Sequence, residues 1–451
     1  MKKTNRTILV LLILSALIQS VRADFPIASH RFLADPGSMV FNGRVYLYCS
    51  NDDDNIADDK GTYMMKSIVC ISSNDLKNWT DHGVVFEVPR DATWAGRSWA
   101  PSAVERDGKF FLYYGNGGNG IGVATATNPL GPFKDPLGKE LIKNSTPGVM
   151  PARNMWLFDP MAFVDDDGQA YLYFGGNGDY NVRCIKLNRD MISVDTPAIK
   201  LNARNFFEAS WIHKNNGVYY FSYSTNPSAE MRIDYMKSSS PTSGFTYGGI
   251  VSRQPPMNDN NNHQAIFKFN GEWYQAYHNR AVSKNASIPT IYKRNLCIDQ
   301  LKHQNDGSIE IMTNTENGLK QLRYVNPFER NEAETMNAQF GIKTEVCEDG
   351  GMNVCGIENG DWIKVSGVNF TNVAKKIDIR VAGISKFEIE VRLGSKTGTL
   401  VGTCRFLSSI DAQDWKTIGA KLKPISGIQD IFFVFVGESK TKLSFDWWQV
   451  S

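Results

Sequence analysis

Four chemically active side chains open copies of a pattern that occurs five times. The copies begin at Asp35, Ala100, Asp159, Glu208 and His263, each 8 or 9 residues before a turn glycine. Corresponding residues of a repeat face one another when the copies close into a ring, so three carboxylates and an imidazole would converge. Repulsion and desolvation make such a cluster costly, which favours proton-transfer chemistry or cation binding over a purely structural role.

The pattern also predicts the elements that position these residues. Each copy reads as an inner strand, a tight turn at Asn-Gly or Asp-Gly, and a second strand rich in aromatics, as in Asn42-Gly43 followed by Val45-Tyr46-Leu47-Tyr48. The copies start 49 to 65 residues apart, which is typical of propeller blades. We therefore predict an all-β protein in which residues 24–325 form a five-bladed β-propeller whose inner strands line the central channel.

The N-terminus predicts export. Residues 1–23 combine a basic start, an apolar run over 8–18 and a small-residue cleavage site ending at Ala23, the pattern of a signal peptide. The apolar run is too short to span a bilayer, so an uncleaved membrane anchor is disfavoured. We expect a secreted protein, periplasmic or extracellular, with no membrane anchor.

Charge gives no indication of a polyanionic partner. The chain carries 49 Lys and Arg against 47 Asp and Glu, and removing the four basic residues of the signal peptide leaves 45 against 47. A net charge of −2 for the mature chain favours neither nucleic acid nor an anionic membrane.

Cysteines and a local acidic loop are the other groups to consider. Seven cysteines are too few for a disulfide scaffold and show no metal-binding spacing. Cys49 with Cys70, or Cys347 with Cys355, could pair after export, but the odd number leaves at least one thiol free, and buried thiols are the alternative for most of them. The acidic segment 51–59 is expected to be a solvated loop, with a surface cation site as the alternative.

Five short motifs stand around or near the opening residues: Ala34-Asp35-Pro36, Trp99-Ala100-Pro101, Phe158-Asp159-Pro160, Phe207-Glu208-Ala209 and Tyr277-His278-Asn279-Arg280. Together and in this order, they resemble the motifs of glycoside hydrolase family 43. The layout is most similar to arabinofuranosidases that act on arabinoxylan. The sequence departs from the family at Ser102, where Asp is frequent, and at Ala209-Ser210, which replaces Gly-Pro.

The resemblance implies catalytic roles for three carboxylates. Asp35 matches the general base, Glu208 the general acid, and Asp159 the third carboxylate that sets the pKa and orientation of the acid. Glycosidic cleavage requires such an acid and base, which an inverting enzyme holds roughly 6.5–9.5 Å apart around a water molecule. No cofactor is expected for the chemistry.

Four further residues acquire expectations from the resemblance or from their place near the channel. His263 is expected to bind calcium or to hydrogen-bond near the acid, with a core histidine as the alternative. Arg280 is expected to reach the sugar, with a structural salt bridge as the alternative. Trp99 and Trp156 are expected to form apolar sugar platforms, although core packing would explain either one equally well.

Residues 326–451 lack the repeated pattern and contain five other segments of note: Asn331-Glu332-Ala333-Glu334, Ile357-Glu358-Asn359-Gly360-Asp361-Trp362, Ile379-Arg380-Val381-Ala382, Gly398-Thr399-Leu400-Val401-Gly402 and Ser444-Phe445-Asp446-Trp447-Trp448. These segments resemble carbohydrate-binding module family 6, which implies a β-sandwich (jelly roll). The resemblance implies a structural calcium ion held by Glu332, Glu334 and Asp446, and a sugar-stacking role for Trp415. A purely structural module is the alternative.

The segment 324–328 is a short linker containing Pro327, so we expect the sandwich to dock against the propeller. Phe328, Trp447 and Trp448 are the expected apolar contacts, although some of them must belong to the core of the sandwich.

Taken together, these features predict an inverting hydrolase that removes α-L-arabinofuranosyl groups from arabinoxylan or arabino-oligosaccharides. Its partner would be a plant cell-wall polysaccharide or the oligosaccharides derived from it. The first alternative is a β-xylosidase, because arabinofuranose and xylopyranose present similar hydroxyls to a small pocket. The second, from a different class, is a non-catalytic polysaccharide-binding protein.

Overall fold

The computed structural model describes residues 26–55 and 61–451, except 227, 229, 289, 316–317, 372, 408–413 and 438–442. The predicted signal peptide, residues 1–23, lies outside the described residues. Nearly all regular structure is β, and the described residues include no helix with the length and apolarity required to cross a bilayer.

Five antiparallel sheets follow one another along residues 33–301, as the repeat predicts. The first sheet contains β1 (Leu33–Phe41), β2 (Arg44–Asn51), β3 (Ser67–Ser73) and β4 (Trp79–Glu87), with a 3-10 turn at Asp52–Asp54. The second contains β5 (Trp99–Arg106), β6 (Lys109–Gly115) and β7 (Ile121–Ala126). The third contains β8 (Met161–Val164), β9 (Ala170–Phe174), β10 (Arg183–Leu187) and β11 (Val194–Lys200).

The last two blades complete the ring. The fourth contains β12 (Phe206–Asn215), β13 (Val218–Thr225), β14 (Arg232–Ser238) and β15 (Thr246–Arg253). The fifth contains β16 (Gln264–Phe269), β17 (Glu272–Asn279) and β18 (Asn295–Leu301), with the short helix α1 (Ala281–Asn285) between β17 and β18. Each first strand contacts the first strands of both neighbouring blades, and β1 contacts β16, so the propeller is closed.

The predicted turn chemistry explains the hairpins between the first two strands of the blades. In four blades both turn residues have positive φ, for example Asn42 at 47° with Gly43 at 70°, and Asn216 at 50° with Gly217 at 77°. Asn, Asp and Gly tolerate this backbone region, and the resulting turn matches the twist of the paired strands. The third blade differs because β8 and β9 are joined by a longer turn, in which only Gly168 has positive φ.

The C-terminal residues form two facing sheets around one apolar core, which confirms the predicted sandwich. One sheet contains β19 (Asn331–Glu332), β22 (Lys343–Val346), β23 (Met352–Cys355), β25 (Lys376–Gly383), β28 (Lys416–Lys421) and β30 (Leu443–Val450). The other contains β21 (Ala338–Phe340), β24 (Trp362–Phe370), β26 (Phe387–Leu393), β27 (Thr399–Phe406) and β29 (Gly427–Gly437).

The sandwich docks on the outer edge of the first blade through polar contacts. Strand β20 (Thr335–Met336) pairs with β4 and so extends the sheet of that blade. The buried carboxylate of Asp81 accepts hydrogen bonds from Arg31 Nε at 2.5 Å, from His30 Nε2 at 2.9 Å and from the sandwich residue Thr344 at 2.6 Å. The prediction of docking thus agrees with these contacts.

The predicted apolar contacts between the domains are wrong. Trp448 is fully buried in the sandwich core, and Phe328 packs against that same core. Trp447 lies against the Arg330 guanidinium, 5.6 Å from the ring centre. Phe328 and Trp448 therefore stabilise the sandwich itself, whereas Trp447 points away from its core.

The suggested disulfides are also wrong, since all seven cysteines carry free thiols. Cys49 pairs with Val69 and Tyr48 with Cys70, so the two cysteines are offset by one residue and point to opposite faces of the sheet. Cys355 pairs with Lys343, at the opposite end of its hairpin from Cys347.

Candidate active site

A strained turn in the inner strands directs side chains into the channel mouth. Asp35, Ala100 and Asp159 have φ values of 48°, 44° and 49°, a left-handed region that side chains other than glycine rarely adopt. In the fourth blade this conformation occurs at Ala209, with φ of 60°, so Glu208 lies one residue before the position equivalent to Asp35. The assumption that all five opening residues are strictly equivalent is therefore wrong for the fourth blade.

The structure nevertheless brings the four active side chains together. Asp35, Asp159 and Glu208 are only 5%, 5% and 7% exposed, and His263 is buried beside them. His263 Nδ1 lies 3.9 Å from an Asp35 oxygen and 3.8 Å from an Asp159 oxygen. The backbone N–H of Ala209 donates to Asp159 at 2.8 Å, which connects the third blade to the strand that carries Glu208.

Asp35 is held in its ionised form by an arginine. Burial alone would raise its pKa, but Arg294 above all, with His263 and His278, outweighs burial and lowers the pKa to about 2. Arg294 Nη1 donates to Asp35 at 2.6 Å, and the backbone N–H of Asp35 donates to His278 Nδ1 at 3.3 Å. At neutral pH Asp35 is therefore a carboxylate, as a proton acceptor must be.

Glu208 has the opposite electrostatic environment. Burial, followed by the negative charges of Asp159 and Asp35, raises its pKa well above the ordinary value. Burial and Asp35 likewise raise the pKa of Asp159. The Glu208 Oε1 atom is buried and has no hydrogen-bond partner among the described residues. Burial and the two neighbouring charges therefore favour the protonated form of Glu208, which is what a proton donor requires.

Arg294 is itself oriented by a second buried carboxylate. Asp52 is completely buried and accepts from Arg294 Nε and Nη2, both at 2.8 Å, and from the Arg294 backbone N–H at 2.9 Å. This two-pronged contact fixes the plane of the guanidinium so that its remaining nitrogen reaches Asp35. The expectation of a solvated acidic loop is therefore wrong for Asp52, because antiparallel pairing returns the end of β2 to the channel mouth.

Sequence reasoning missed both Arg294 and Asp52. A signal was available for Asp52, since it directly follows a strand whose end must lie beside the start of β1. None was available for Arg294, which directly precedes β18 in a segment outside the repeated motif.

The comparisons with known proteins identify the family. Residues 25–309 match the sequence profile of Glycosyl hydrolases family 43, and residues 332–451 match that of Carbohydrate binding module (family 6). The first match covers more than half of the chain. The chain belongs to glycosyl hydrolase family 43.

Similar proteins share both domains. Two arabinoxylan arabinofuranohydrolases, from Paenibacillus polymyxa and Bacillus subtilis, are 39% and 40% identical. Each alignment covers 94% of this chain, and they span 74% and 91% of the respective relatives. The crystal structure of a family 43 arabinoxylan arabinofuranohydrolase from Bacillus subtilis, in complex with cellotetraose, superposes with a TM-score of 0.89 at 38% identity, covering 96% of this chain and 98% of that one.

Arg280 of this family 43 chain is buried, and its guanidinium is engaged by protein groups. Its Nη2 donates to Asn261 Oδ1 at 2.8 Å, Nε donates to the Ile291 carbonyl at 2.8 Å, and Nη1 donates to Asn258. The expectation that Arg280 contacts the sugar directly is not supported by these contacts. Arg294, not Arg280, is the arginine that reaches the carboxylate cluster.

The two candidate tryptophans lie on different parts of the family 43 site. Trp99 is half-buried, with its ring edge-on to Tyr63 at 6.5 Å. Trp156 is 40% exposed, and its ring packs edge-on to Phe158 and Phe207, which directly precede Asp159 and Glu208. Trp156 therefore presents an aromatic surface to solvent beside the carboxylate cluster.

The sandwich residues show a carboxylate cluster with two arginines. The pKa of Glu334 is raised to about 9, chiefly by burial of the carboxyl group. Its Oε2 atom is buried and has no hydrogen-bond partner among the described residues. Arg330 pairs with Glu332 at 2.8 Å and Arg380 with Asp446 at 2.5 Å. Within the described ranges, no three His, Cys, Asp or Glu side chains are arranged to hold a metal ion.

Trp415, the candidate sugar-stacking residue of the sandwich, is half-buried. The Arg380 guanidinium lies 4.8 Å from the centre of its ring. One face of the indole is therefore already covered.

Proposed function

We propose that this family 43 hydrolase removes single α-L-arabinofuranosyl groups from arabinoxylan or arabino-oligosaccharides with inversion of configuration. The observation that carries the proposal is the burial of Asp35, Asp159 and Glu208 at the channel mouth, each no more than 7% exposed. From this burial we infer that the site receives a terminal sugar residue and not an internal segment of a chain. The substrate is inferred from the two relatives named arabinoxylan arabinofuranohydrolase.

The charge states favour a single displacement by water. Asp35, ionised beside Arg294, accepts a proton from a water molecule as the water oxygen bonds to the anomeric carbon. Glu208, protonated in its buried setting, gives its proton to the glycosidic oxygen as the bond to the anomeric carbon breaks. The products are free arabinose and the hydroxyl of the remaining chain, and the two carboxyl groups have exchanged protonation states. No cofactor takes part in these steps.

Asp159 is proposed to control Glu208. Its charge is one of the two that raise the pKa of the acid, and its Oδ2 accepts the N–H of the residue that follows Glu208. His263, whose pKa burial lowers to about 4, is neutral between Asp35 and Asp159 and adds no positive charge that would lower the pKa of the acid.

The polymer is proposed to extend from the pocket across Trp156, whose exposed ring suits stacking against a sugar. The sandwich is proposed to add polysaccharide affinity, with Trp415 contributing its uncovered face. The chain is further proposed to be exported through the signal peptide over residues 1–23.

A structural calcium ion is proposed for the sandwich. The orphaned buried oxygen of Glu334, close enough to Glu332 and Asp446 to feel their charges, is the kind of hard ligand that calcium satisfies. Glu332 already pairs with Arg330, and Asp446 already pairs with Arg380. Each of these carboxylates would therefore contact both its arginine and the calcium ion.

The test compares nitrophenyl α-L-arabinofuranoside with nitrophenyl β-D-xyloside, and measures the sugar released from arabinoxylan. We expect the arabinofuranoside to be hydrolysed faster and arabinose to be released from the polymer. Faster cleavage of the xyloside would instead make the enzyme a β-xylosidase. A folded protein that cleaves neither substrate but retains polysaccharide would be a binding protein.

Proton NMR of the first-formed arabinose tests the mechanism. We expect the inverted anomer, because Asp35 activates water and does not itself bond to the sugar. Early appearance of the retained anomer would exclude this role.

A further inference from the structure

The rim of the channel mouth near Trp156 carries two cations beside one exposed aromatic ring. The central carbon of the Arg153 guanidinium lies 4.9 Å, and Lys200 Nζ 4.4 Å, from the centre of the Tyr180 ring. All three side chains are exposed, Tyr180 to 51%. The two positive charges thus lie within about 10 Å of each other, a separation at which charges still interact at moderate salt.

Neither cation is neutralised by the protein. Among the described residues, Arg153 and Lys200 form no ion pair with a carboxylate. Asp179, which directly precedes Tyr180, is the one acidic residue in the segments 148–156 and 176–181, and it pairs with neither cation. Two like charges held near one ring repel each other, so an anion bound between them would relieve an unfavourable interaction.

The backbone beneath these side chains is fixed by two polar residues that are each only 1% exposed, Asn181 and Arg183. Asn181 Nδ2 donates to the Arg153 carbonyl at 2.7 Å, and its Oδ1 accepts from the Arg153 N–H at 3.1 Å. Arg183 donates to the carbonyl oxygens of Tyr180 at 2.7 Å and of Pro151 at 3.0 Å. The rim is therefore ordered before a ligand arrives, which lowers the entropic cost of binding.

The rim is also continuous with the stacking surface of the site. Trp156 forms an antiparallel bridge with Gly176, so the segment that carries Arg153 lies beside the segment that leads to Tyr180. Arg153 is three residues from Trp156, at most about 11 Å along the chain. A polymer that leaves the pocket across Trp156 in this direction would therefore pass close to both cations.

A carboxylate on a sugar is the ligand that suits this rim. Guanidinium and ammonium groups only donate hydrogen bonds, and they bind carboxylates through charge-assisted contacts. The Tyr180 hydroxyl can donate a further hydrogen bond. A polyanion is a poorer match, because the mature chain has a net charge of −2 and offers no extended positive field. Two local cations fit an isolated carboxylate in a polymer that is otherwise neutral.

We propose that Arg153 and Lys200 form a subsite for the carboxylate of a uronic acid carried by the polysaccharide, so that the enzyme prefers acidic arabinoxylan to neutral arabinoxylan. The proposal rests on the proposed function, since it requires a polymer that extends from the pocket across Trp156. It assigns the rim a role in selecting the substrate and leaves the chemistry of Asp35 and Glu208 unchanged.

The test compares arabinose release from an arabinoxylan that bears uronic acids with release from the same polymer after its carboxyl groups have been reduced to primary alcohols. The reduced polymer keeps the size of each side group and loses its charge. We expect kcat/KM of the native enzyme to be about 3- to 10-fold higher on the acidic polymer, the combined effect of two exposed ion pairs. This preference should decline as the salt concentration rises from about 0.01 M to about 1 M.

The variants Arg153→Gln and Lys200→Gln remove the charges one at a time. Each should lower the preference for the acidic polymer by about 2- to 3-fold, and the double variant should act on the two polymers equally. The matched control is Lys109→Gln, because Lys109 is an exposed cation at the start of β6, at the opposite end of its hairpin from Ala100. It should keep the native preference, and thermal unfolding identifies variants that fail to fold. A folded double variant that keeps the native preference would overturn the proposal.

Nitrophenyl arabinofuranoside separates failure of this proposal from failure of the proposed function. It carries no polymer and no carboxylate, so it reports the channel chemistry alone. A native enzyme that hydrolyses it and releases arabinose equally well from both polymers would refute only the uronic acid subsite. A native enzyme that releases arabinose from neither polymer would refute the proposed function, and the subsite with it.

Discussion

Replacing Arg294 by Met should change the pH dependence of hydrolysis more than any other single substitution near Asp35. Arg294 is the largest of the influences that lower the pKa of Asp35, and burial is the opposing one. Methionine fills much of the same volume without charge. Burial of the Asp35 carboxylate would then be opposed only by the weaker influences of His263, His278 and Ser50.

The magnitude follows from the pKa values. The pKa of Asp35 is lowered from an ordinary value of 3.8 to about 2. This depression corresponds to about 2 kcal/mol of preferential stabilisation of the carboxylate. Without Arg294 the pKa of Asp35 should rise, because the largest of the influences that oppose burial is removed.

The assay is kcat/KM for nitrophenyl arabinofuranoside from about pH 3 to about pH 7, since kcat/KM reports the ionisation of the free enzyme. The native enzyme should be insensitive to Asp35 protonation over this range. Arg294→Met should lose activity below about pH 5, tenfold for each further pH unit. If kcat/KM of Arg294→Met falls at low pH no more than that of the native enzyme, the reasoning is refuted.

The free energy of unfolding should also depend on pH, in the direction set by the lowered pKa of Asp35. Because the folded-state pKa of Asp35 is lowered, its contribution to the free energy of unfolding is present above 3.8 and is lost as the pH falls to about 2. Arg294→Met should lack this contribution, so its deficit in stability should shrink as the solution is acidified. The double variant with Asp52→Asn is the control, since it removes the buried carboxylate that Arg294→Met leaves unpaired.

Three further predictions concern stacking on Trp156, the proposed calcium ion of the sandwich and the contact of Asp81 between the two domains. Trp156→Ala should lower kcat/KM on arabinoxylan several-fold through loss of about 1 kcal/mol of stacking, but should leave kcat/KM on aryl substrates unchanged. The control variant Phe340→Ala should show neither loss. Equal losses on arabinoxylan and on aryl substrates for Trp156→Ala would contradict the prediction. Calcium should raise the melting temperature of the native protein but not of Glu334→Gln, and an identical response of the two would exclude Glu334 as a ligand. Asp81→Asn should lower the free energy of unfolding, measured by denaturant titration, by about 3 to 5 kcal/mol. The control Asp179→Asn, at an exposed position, should change it little. If Asp81→Asn is as stable as the native protein, the buried contact is unimportant.

The sequence determined the features that depend on local chemistry or on repetition. Asn-Gly and Asp-Gly turns specify their hairpins through the backbone preferences of two adjacent residues, so the five-bladed propeller could be predicted without a structure. Repetition then predicted that Asp35, Asp159, Glu208 and His263 would meet. The C-terminal sandwich was predicted from its resemblance to a known module.

Only the tertiary structure decided which groups control those side chains. Arg294 and Asp52 lie in segments that do not share the repeat, and they reach the site through packing between the first and fifth blades. The positive φ of Ala209 established the one-residue offset of Glu208, at which the spacing of 8 or 9 residues to the turn glycine only hinted. A pKa depends on burial and on charges brought close in space, and neither is encoded in the spacing of residues along a chain. The sequence therefore specified which carboxylates meet at the channel mouth, whereas tertiary packing decided which of them is ionised and which holds a proton.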